Sequence, residues 1–266
     1  MSRISILTLF PEQIIQGLAH SIVGKAIENG ILELDFRNIR DFAINKHGQV
    51  DDALYGGGTG MLMMLEPIIK SWLSIYIEDP NQYLAELPAE MDLEKWRSQR
   101  KQISKDTLYF LSPKGKVFDQ TMAKNMAKQE HLVFLCGHYE GVDQRVIDIL
   151  EPEEISLGDF VLTGGESALI VIIDAISRLL PGVLPNKEAY LEDSHAQGYL
   201  EEVQYTRPAK WYGVEVPEVL LSGHQANIAE FRKHSRMRET IEKRPDLITN
   251  LQFTKEEWLS FLAELD

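Results

Sequence analysis

The chain has 266 residues, 44% of them hydrophobic and 26% charged, with a net charge of −14. That is the composition of a globular protein of one large or two ordinary domains, and the acidic balance argues against non-specific binding to polyanions. Cys136 is the only cysteine, which excludes an intrachain disulfide and points to a reducing compartment.

In chain order, MSRISILTLF opens on a strand pattern and lacks the apolar stretch and small-residue cleavage site of a secretory signal. The expected location is the cytoplasm. Ile4 to Phe10 reads as a buried strand. Pro11 suits the first turn of one helix with apolar positions Ile14, Ile15, Leu18, Ile22 and Ala26, and Gly30 is a fitting stop. A strand over 31–39 follows. Residues 40 to 60 contain YGGGTGM and read as a long functional loop. A helix is expected from about Glu66 to Ile77, and the charge-dense stretch 78–106 reads as a surface insertion.

Three strand-loop-helix units come next: TLYFLSPKG (107–115), HLVFLCGHYEG (131–141) and EEISLGDFVLTGGE (153–166). Such alternation predicts an α/β fold with a mostly parallel sheet covered on both faces. The apolar run from Ala168 to Leu184 is interrupted by Asp174 and Arg178, so it reads as a buried helix rather than a membrane span. PGVLPNKEAYLEDSHAQG (181–198) has no sustained periodicity and reads as a linker. The remainder looks helical and closes on a helix that Thr254 and Glu257 can start as a capping box. Residues 231–244 set Arg232, Lys233, Arg236, Arg238, Lys243 and Arg244 against Glu239 and Glu242. This basic helix is either a solvated face or a docking surface for RNA phosphates.

Ligands of open α/β sheets bind outside the carboxyl ends of the strands. Three successive strand ends here carry glycine, at Gly115, at Gly137 and Gly141, and at Gly164 and Gly165, which points to one shared pocket. No G-x-G-x-x-G follows a strand and no G-x-x-x-x-G-K-[ST] occurs, so the dinucleotide and P-loop fingerprints are missing. Cys136 and His138 share one face of a strand end, but a free cysteine there is more often a small buried hydrophobe than a nucleophile.

The blocks DDALYGGGTGMLMM, LSPKG, CGHYEGVDQRV, SLGDFVLTGGE, SRLLPGVL, EDS, YTRP and VLLSGHQANI occur in this order. Together they closely resemble the bacterial tRNA (guanine-N1)-methyltransferases, a family of the SPOUT superfamily. The resemblance covers nearly the whole chain except 78–106. It implies a deep trefoil knot in an α/β domain (1–183) that binds S-adenosylmethionine. A linker (184–200) would join it to a small α-helical, tRNA-binding domain (201–266). It also implies a homodimer with an active site shared between subunits, methylating guanosine 37 of a tRNA that carries guanosines at 36 and 37, with magnesium assisting.

Carried over position by position, the resemblance places Phe110, Leu111, Ser112, Pro113, Gly137, Tyr139 and Glu140 around the methyl donor. Leu157, Gly158, Phe160, Leu162, Gly164 and Gly165 complete that set, with the adenosine end lying against Gly164 and Gly165. Asp193 becomes the general base and Arg178 the cation beside guanine O6. His47, Asp51, Gly58, Ser194, Arg207 and Arg232 become tRNA contacts. Taken alone, Asp193 would read as an exposed linker acid, Arg178 as the partner of Asp174 one helical turn earlier, and Phe160 and Leu162 as core. His47, Asp51 and Asp52 are spaced too loosely for a metal site, and no metal ligand is assigned.

The chain departs from the family pattern at three places. His138 stands where arginine is usual, replacing a constant charge by a titratable one. Ser167-Ala168 replaces Leu-Pro after GGE, and Lys46 and Gly48 flank His47 where two arginines are common.

Overall fold

The computed structural model describes residues 2–184, 193–250 and 252–263. The chain divides into two compact units, residues 1–184 and 185–266. In the first unit β1 (Ser2–Thr8), β2 (Leu32–Asn38), β5 (Leu108–Val117), β6 (His131–Cys136) and β7 (Glu153–Ser156) form one sheet in the order β2-β1-β6-β5-β7. Every pairing in it is parallel. A parallel sheet is covered on both faces, so its inner strands are apolar without alternation. The run Leu132-Val133-Phe134-Leu135 illustrates this, with all four side chains buried. Period-2 geometry divides it between two cores.

Leu132 and Phe134 join Ile4, Ile6, Leu169, Ile172, Ile173 and Ile176 in one core. This face is covered by α1 (Pro11–Leu18), α2 (Ser21–Glu28), α6 (Gln120–Met126) and α8 (Gly165–Ser177). Val133 and Leu135 join Leu7, Ile68, Trp72 and Val146 in the other. There α3 (Leu65–Leu73) and α7 (Gln144–Leu150) form the cover. The connection from β6 through α7 to β7 crosses β5, because β7 pairs on the far side of β5.

The structure corrects three expectations. The single helix over 11–29 is two, α1 and α2, broken where Ser21 takes φ 59°. A left-handed residue ends the α-helical ladder, and Ile15 and Ile22 are exposed instead of sharing one buried stripe. Residues 40 to 60 are not loop throughout. A 3-10 turn spans Ile39–Phe42, and β3 (Asp51–Ala53) pairs antiparallel with β4 (Met61–Met63). The 78–106 segment is more than surface. Its helices α4 (Pro80–Glu86) and α5 (Leu93–Ile103) place Tyr83, Leu84, Trp96 and Ile103 against the α3–α7 core. Arg97 Nε donates to the Asp148 carbonyl at 2.7 Å and Arg100 to the Asp106 carbonyl at 2.8 Å, so part of its charge is also turned in toward the backbone.

The second unit contains the two-stranded β8 (Lys210–Trp211) and β9 (Val214–Glu215), then α9 (Glu218–Leu221), α10 (Gln225–Lys243) and α11 (Lys255–Ala263). Helix α10 buries Met237 and Thr240. The extended chain before it is tied down where Leu200 N donates to Thr240 Oγ1 (3.1 Å) and Val203 N to Ser235 Oγ (2.9 Å). The anticipated capping box is present: Thr254 N donates to Glu257 Oε2 at 2.7 Å and Glu257 N to Thr254 Oγ1 at 3.2 Å. Of the linker expected at 184–200, residues 185–192 lie outside the described residues. Residues 193–200 turn back on themselves, with Ala196 N on the Asp193 carbonyl and Glu201 N on Ser194 Oγ. Among the described residues no helix is long and apolar enough to cross a membrane.

Leu111 and Lys116 both register with Ile155, so Ser112 to Gly115 loop out of the β5–β7 ladder. A Cβ on Gly115 would collide with the Ile155 backbone nitrogen. Gly115→Ala should therefore lose about 3 kcal/mol of stability, as over-packing against rigid backbone does, read from the denaturant midpoint.

Candidate active site

The 112–115 loop-out of β5 and the loops after β6 and β7 lie on neighbouring parallel strands, just beyond the Leu111–Cys136 and Leu111–Ile155 pairs, so the three glycine-bearing segments gather along one edge of the sheet. In the first, Ser112 is buried and its hydroxyl accepts from Lys114 N at 3.2 Å, while Pro113 and Lys114 are exposed. In the third, Ser156 and Gly158 close a tight turn, with Gly158 N donating to Ser156 Oγ at 3.1 Å. Beyond it Phe160 and Leu162 stand 54% and 42% exposed. They are not core: they line an open rim, as a ligand wall would.

The β6 loop and the start of α8 are joined directly. Gly165 N donates to the Gly137 carbonyl at 2.9 Å, and His138 bridges Gly164 in a short antiparallel contact. A Cβ on Gly165 would lie 2.8 Å from Cys136 Cα, and one on Gly164 would collide with the His138 ring. The protein's own groups thus take the side-chain space at both glycines. The adenosine end expected against Gly164 and Gly165 would therefore meet backbone there, with the Gly165 N–H already given to the Gly137 carbonyl.

Glu166 sits in the first turn of α8, 1% exposed, and was missed as a site residue although it ends the GGE block. Its Oε2 meets His138 Nε2 at 2.6 Å and its Oε1 accepts from Thr8 Oγ1 at 2.5 Å. Thr8 in turn accepts from Phe10 N at 3.0 Å, and the Phe10 ring lies 4.9 Å from the His138 ring. Burial pushes the Glu166 carboxyl up, but the hydrogen bonds from His138 and Thr8 outweigh it and hold it below the usual range. Burial, reinforced by the Glu166 charge, raises the fully buried Cys136 thiol well above its ordinary value, which removes it as a nucleophile.

The β3–β4 hairpin docks on the same loop. Met63 N donates to the Gly141 carbonyl, Glu140 N to the Met61 carbonyl and Asp143 N to the Met63 carbonyl, each at 3.0 Å. Gly60 therefore packs against the Glu140 side chain. Tyr139, held at φ 59°, has its phenol raised by burial and then by Asp51, with which it shares a hydrogen bond. Asp51, expected as a tRNA contact, thus lies beside Tyr139, expected as a donor contact. His47 and Gly58 are exposed on the flanking loops. Arg178 does not join them. It caps the far end of α8, about 20 Å from Gly165 at 1.5 Å rise per residue. Ser194, Arg207 and Arg232 belong to the second unit, as does Asp193.

In that second unit the basic stretch is largely neutralised. Arg232 and Arg236 reach Glu202 at 3.5 and 2.7 Å, and Lys233 reaches Glu257 at 2.7 Å. Lys243 pairs with Glu239, and Arg244 with Asp246 at 2.7 Å. These pairs reduce the positive charge of the 231–244 stretch, although Arg232 and Arg238 stay exposed on it.

Because the folded-state value of Glu166 is depressed, its contribution to stability is complete above the unfolded value of 4.5 and is lost as pH falls through the folded one. The stability difference between the native chain and Glu166→Gln should be constant at neutral pH and shrink below about pH 4.5, measured by denaturant unfolding. His138→Ala leaves a buried charge without its partner and should cost about 3 kcal/mol.

Residues 2–250 match the family described as tRNA (Guanine-1)-methyltransferase TrmD. A Clostridium perfringens (strain 13 / Type A) protein named tRNA (guanine-N(1)-)-methyltransferase is 46% identical over 255 residues, 96% of this chain and 97% of the relative. A protein of the same name from Clostridium botulinum (strain Langeland / NCTC 10281 / Type F) is 47% identical over 96% of this chain and 95% of its own length. A third, from Ruminiclostridium cellulolyticum (strain ATCC 35319 / DSM 5812 / JCM 6584 / H10), is 45% identical over 94% and 97%. With this extent of similarity and three glycine-bearing strand ends gathered at one sheet edge, the chain belongs to the tRNA (guanine-1)-methyltransferase family.

Proposed function

We propose that this chain is an S-adenosylmethionine-dependent tRNA methyltransferase acting on N1 of guanosine 37, next to the anticodon, in tRNAs with guanosine at 36 and 37. The observation that carries the reading is the convergence of the 112–115, 137–141 and 157–165 segments at one sheet edge, within a chain whose relatives bear that name.

The rim suits the donor chemically. Phe160 and Leu162 offer exposed apolar surface for an adenine ring. Phe110, Leu111, Ser112, Pro113, Gly137, Leu157, Gly158, Gly164 and Gly165 would enclose its edge, with those backbone groups not already paired in the sheet and turns reading it. Tyr139 and Glu140 face the hairpin side, where Glu140 would stand near a positive sulfonium. When bound there, the donor supplies an electrophilic methyl group. The knot implied by the family belongs to this proposal, and the β6–β7 crossover over β5 supports it.

The remaining chemistry falls to the chain's own side chains. Guanine N1 is about as acidic as a phenol, with a pKa of roughly 10, against about 4 for a free aspartate. At 1.4 kcal/mol per unit the mismatch is about 8 kcal/mol. Asp193 as base therefore needs Arg178 to stabilise the anion as charge builds on O6. Helix α8 sets Arg178 about 20 Å along its axis from Gly165, so in this reading Arg178 or Asp193 of a second copy completes the site. This supports a homodimer with shared active sites. His47, Asp51, Gly58, Ser194, Arg207 and Arg232 hold the tRNA. Magnesium receives no step: among the described residues no three His, Cys, Asp or Glu side chains converge on a metal position.

Incubation with labelled donor and a tRNA transcript carrying guanosines 36 and 37 should label position 37, located by nuclease mapping. Asp193→Ala should lower turnover by about 10²-fold or more with donor affinity unchanged; unaltered turnover would remove Asp193 as base. Arg178→Ala should lose about 10²-fold in kcat at normal donor binding. Co-expressing Asp193→Ala with a donor-pocket variant should regain activity that neither variant has alone. No regain would mean that each subunit works by itself.

A further inference from the structure

Strands β8 and β9 form a hairpin whose two-residue turn is Tyr212-Gly213, at φ 46° and 93°. Both turn residues lie in the left-handed region, where two-residue hairpins favour Asn-Gly and a bulky residue is strained. An aromatic ring is nonetheless placed there, and it packs on nothing in its unit except its neighbour. Tyr212 is 92% exposed and Trp211 64%, with ring centroids 5.0 Å apart and planes at 86°. Neither ring belongs to a core cluster. Water-facing indole and phenol faces on a strained, rigid turn point to an external partner.

The surroundings identify its chemistry. The hairpin continues, through Val216 N on the Ala209 carbonyl at 2.9 Å, into a groove bordered by Tyr205, Arg207, Gln225 and Arg232. Two guanidinium groups line this groove; Arg232 is 56% exposed and only loosely paired, at 3.5 Å, with Glu202, so two cations stand against one acid among the described lining residues. On a chain of net charge −14 this is a local positive site, with aromatic faces beside it. Stacking surfaces next to arginines are what unpaired nucleotides require: every base has a π-face, and every linkage a phosphate. Lys210 at the hairpin base is engaged by Glu215 across the ladder, so the rings rather than the lysine face the partner.

We propose that the Trp211–Tyr212 hairpin is a base-stacking platform that takes an unpaired base of the substrate RNA, while Arg207 and Arg232 in the adjoining groove hold flanking phosphates. This rests on the tRNA reading above and adds to it a recognition element outside the donor and guanine sites.

The test uses the full chain and two RNA probes: a stem-loop with an unpaired anticodon-type loop, and a blunt duplex of the same stem. Trp211→Ala should weaken stem-loop binding about tenfold, the loss of one stacked base, and leave duplex binding unchanged. Trp211→Phe, which keeps a stacking face, should restore most of the affinity while removing the fluorescence quenching the stem-loop produces in the native chain. Tyr212→Asn suits the turn and should weaken the stem-loop several-fold without loss of stability. KM for the methyl donor should not move in any of them. Native affinity for the stem-loop in Trp211→Ala, or equal weakening toward both probes, would overturn the platform. A changed oligomeric state of Trp211→Ala in gel filtration would assign the rings to a second copy of the chain instead. Methyl transfer to full tRNA, measured alongside, separates the two ideas. Native-like transfer and binding in all three variants sinks the platform alone, whereas no transfer by the native chain sinks the functional reading beneath it.

Discussion

A single buried carboxylate organises the ligand edge of the first unit. Glu166 joins the end of β1, through Thr8, to the end of β6, through His138, and it stands in the first turn of α8. Taking a carboxylate out of water costs several kcal/mol unless its oxygens are engaged. Here each oxygen has a partner, and the helix N-terminus favours the charge. Breaking either contact exposes that cost, so the β6 loop, the two glycines before Glu166 and the strand end at Thr8 are held as one piece. A ligand that depends on backbone groups at 137 and 164–165 depends on this acid, which itself need not touch the ligand.

The hairpin of β3 and β4 adds the second constraint. Three backbone hydrogen bonds fasten it to the 140–143 stretch, carrying Asp51 and the glycine loop to the same edge as Tyr139 and Glu140. The hairpin and the β6 loop are thereby fastened to each other. Helix α8 does the reverse with Arg178. It starts inside the donor loops and runs for 13 residues, which removes its last residue from them by its own length.

The second unit follows another logic. Most cations of the 231–244 stretch are paired with Glu202, Glu239, Asp246 or Glu257, which lowers its net positive charge. The surface left for recognition is smaller and more specific, with Arg207 exposed in a groove and two aromatic rings exposed on a tight turn. Shape and stacking, with a few guanidinium groups, suit an acidic chain better than a broad electrostatic attraction, which would bind any polyanion.

Local chemistry made much of this legible from residue order. Pro11 at a helix start, the Thr254–Glu257 box and apolar strands ending in glycine are short-range signals, and each appears where it was read. The family resemblance rested on the same kind of contiguous blocks. What residue order could not decide are meetings between distant segments. Thr8 and Glu166 lie 158 positions apart, and nothing in either neighbourhood names the other. The break at Ser21, the docking of 51–63 on 137–143, the α4–α5 seam and the paired α10 cations have the same origin. So does the filling of the space beside Gly164 and Gly165 by His138 and Cys136. Amino-acid order alone determined the main strands, the long helices and their caps, because propensity, capping and periodicity act within a few residues. Tertiary structure alone decided which side chains share a site, because that depends on how the backbone closes over long loops and on which buried polar groups then find partners.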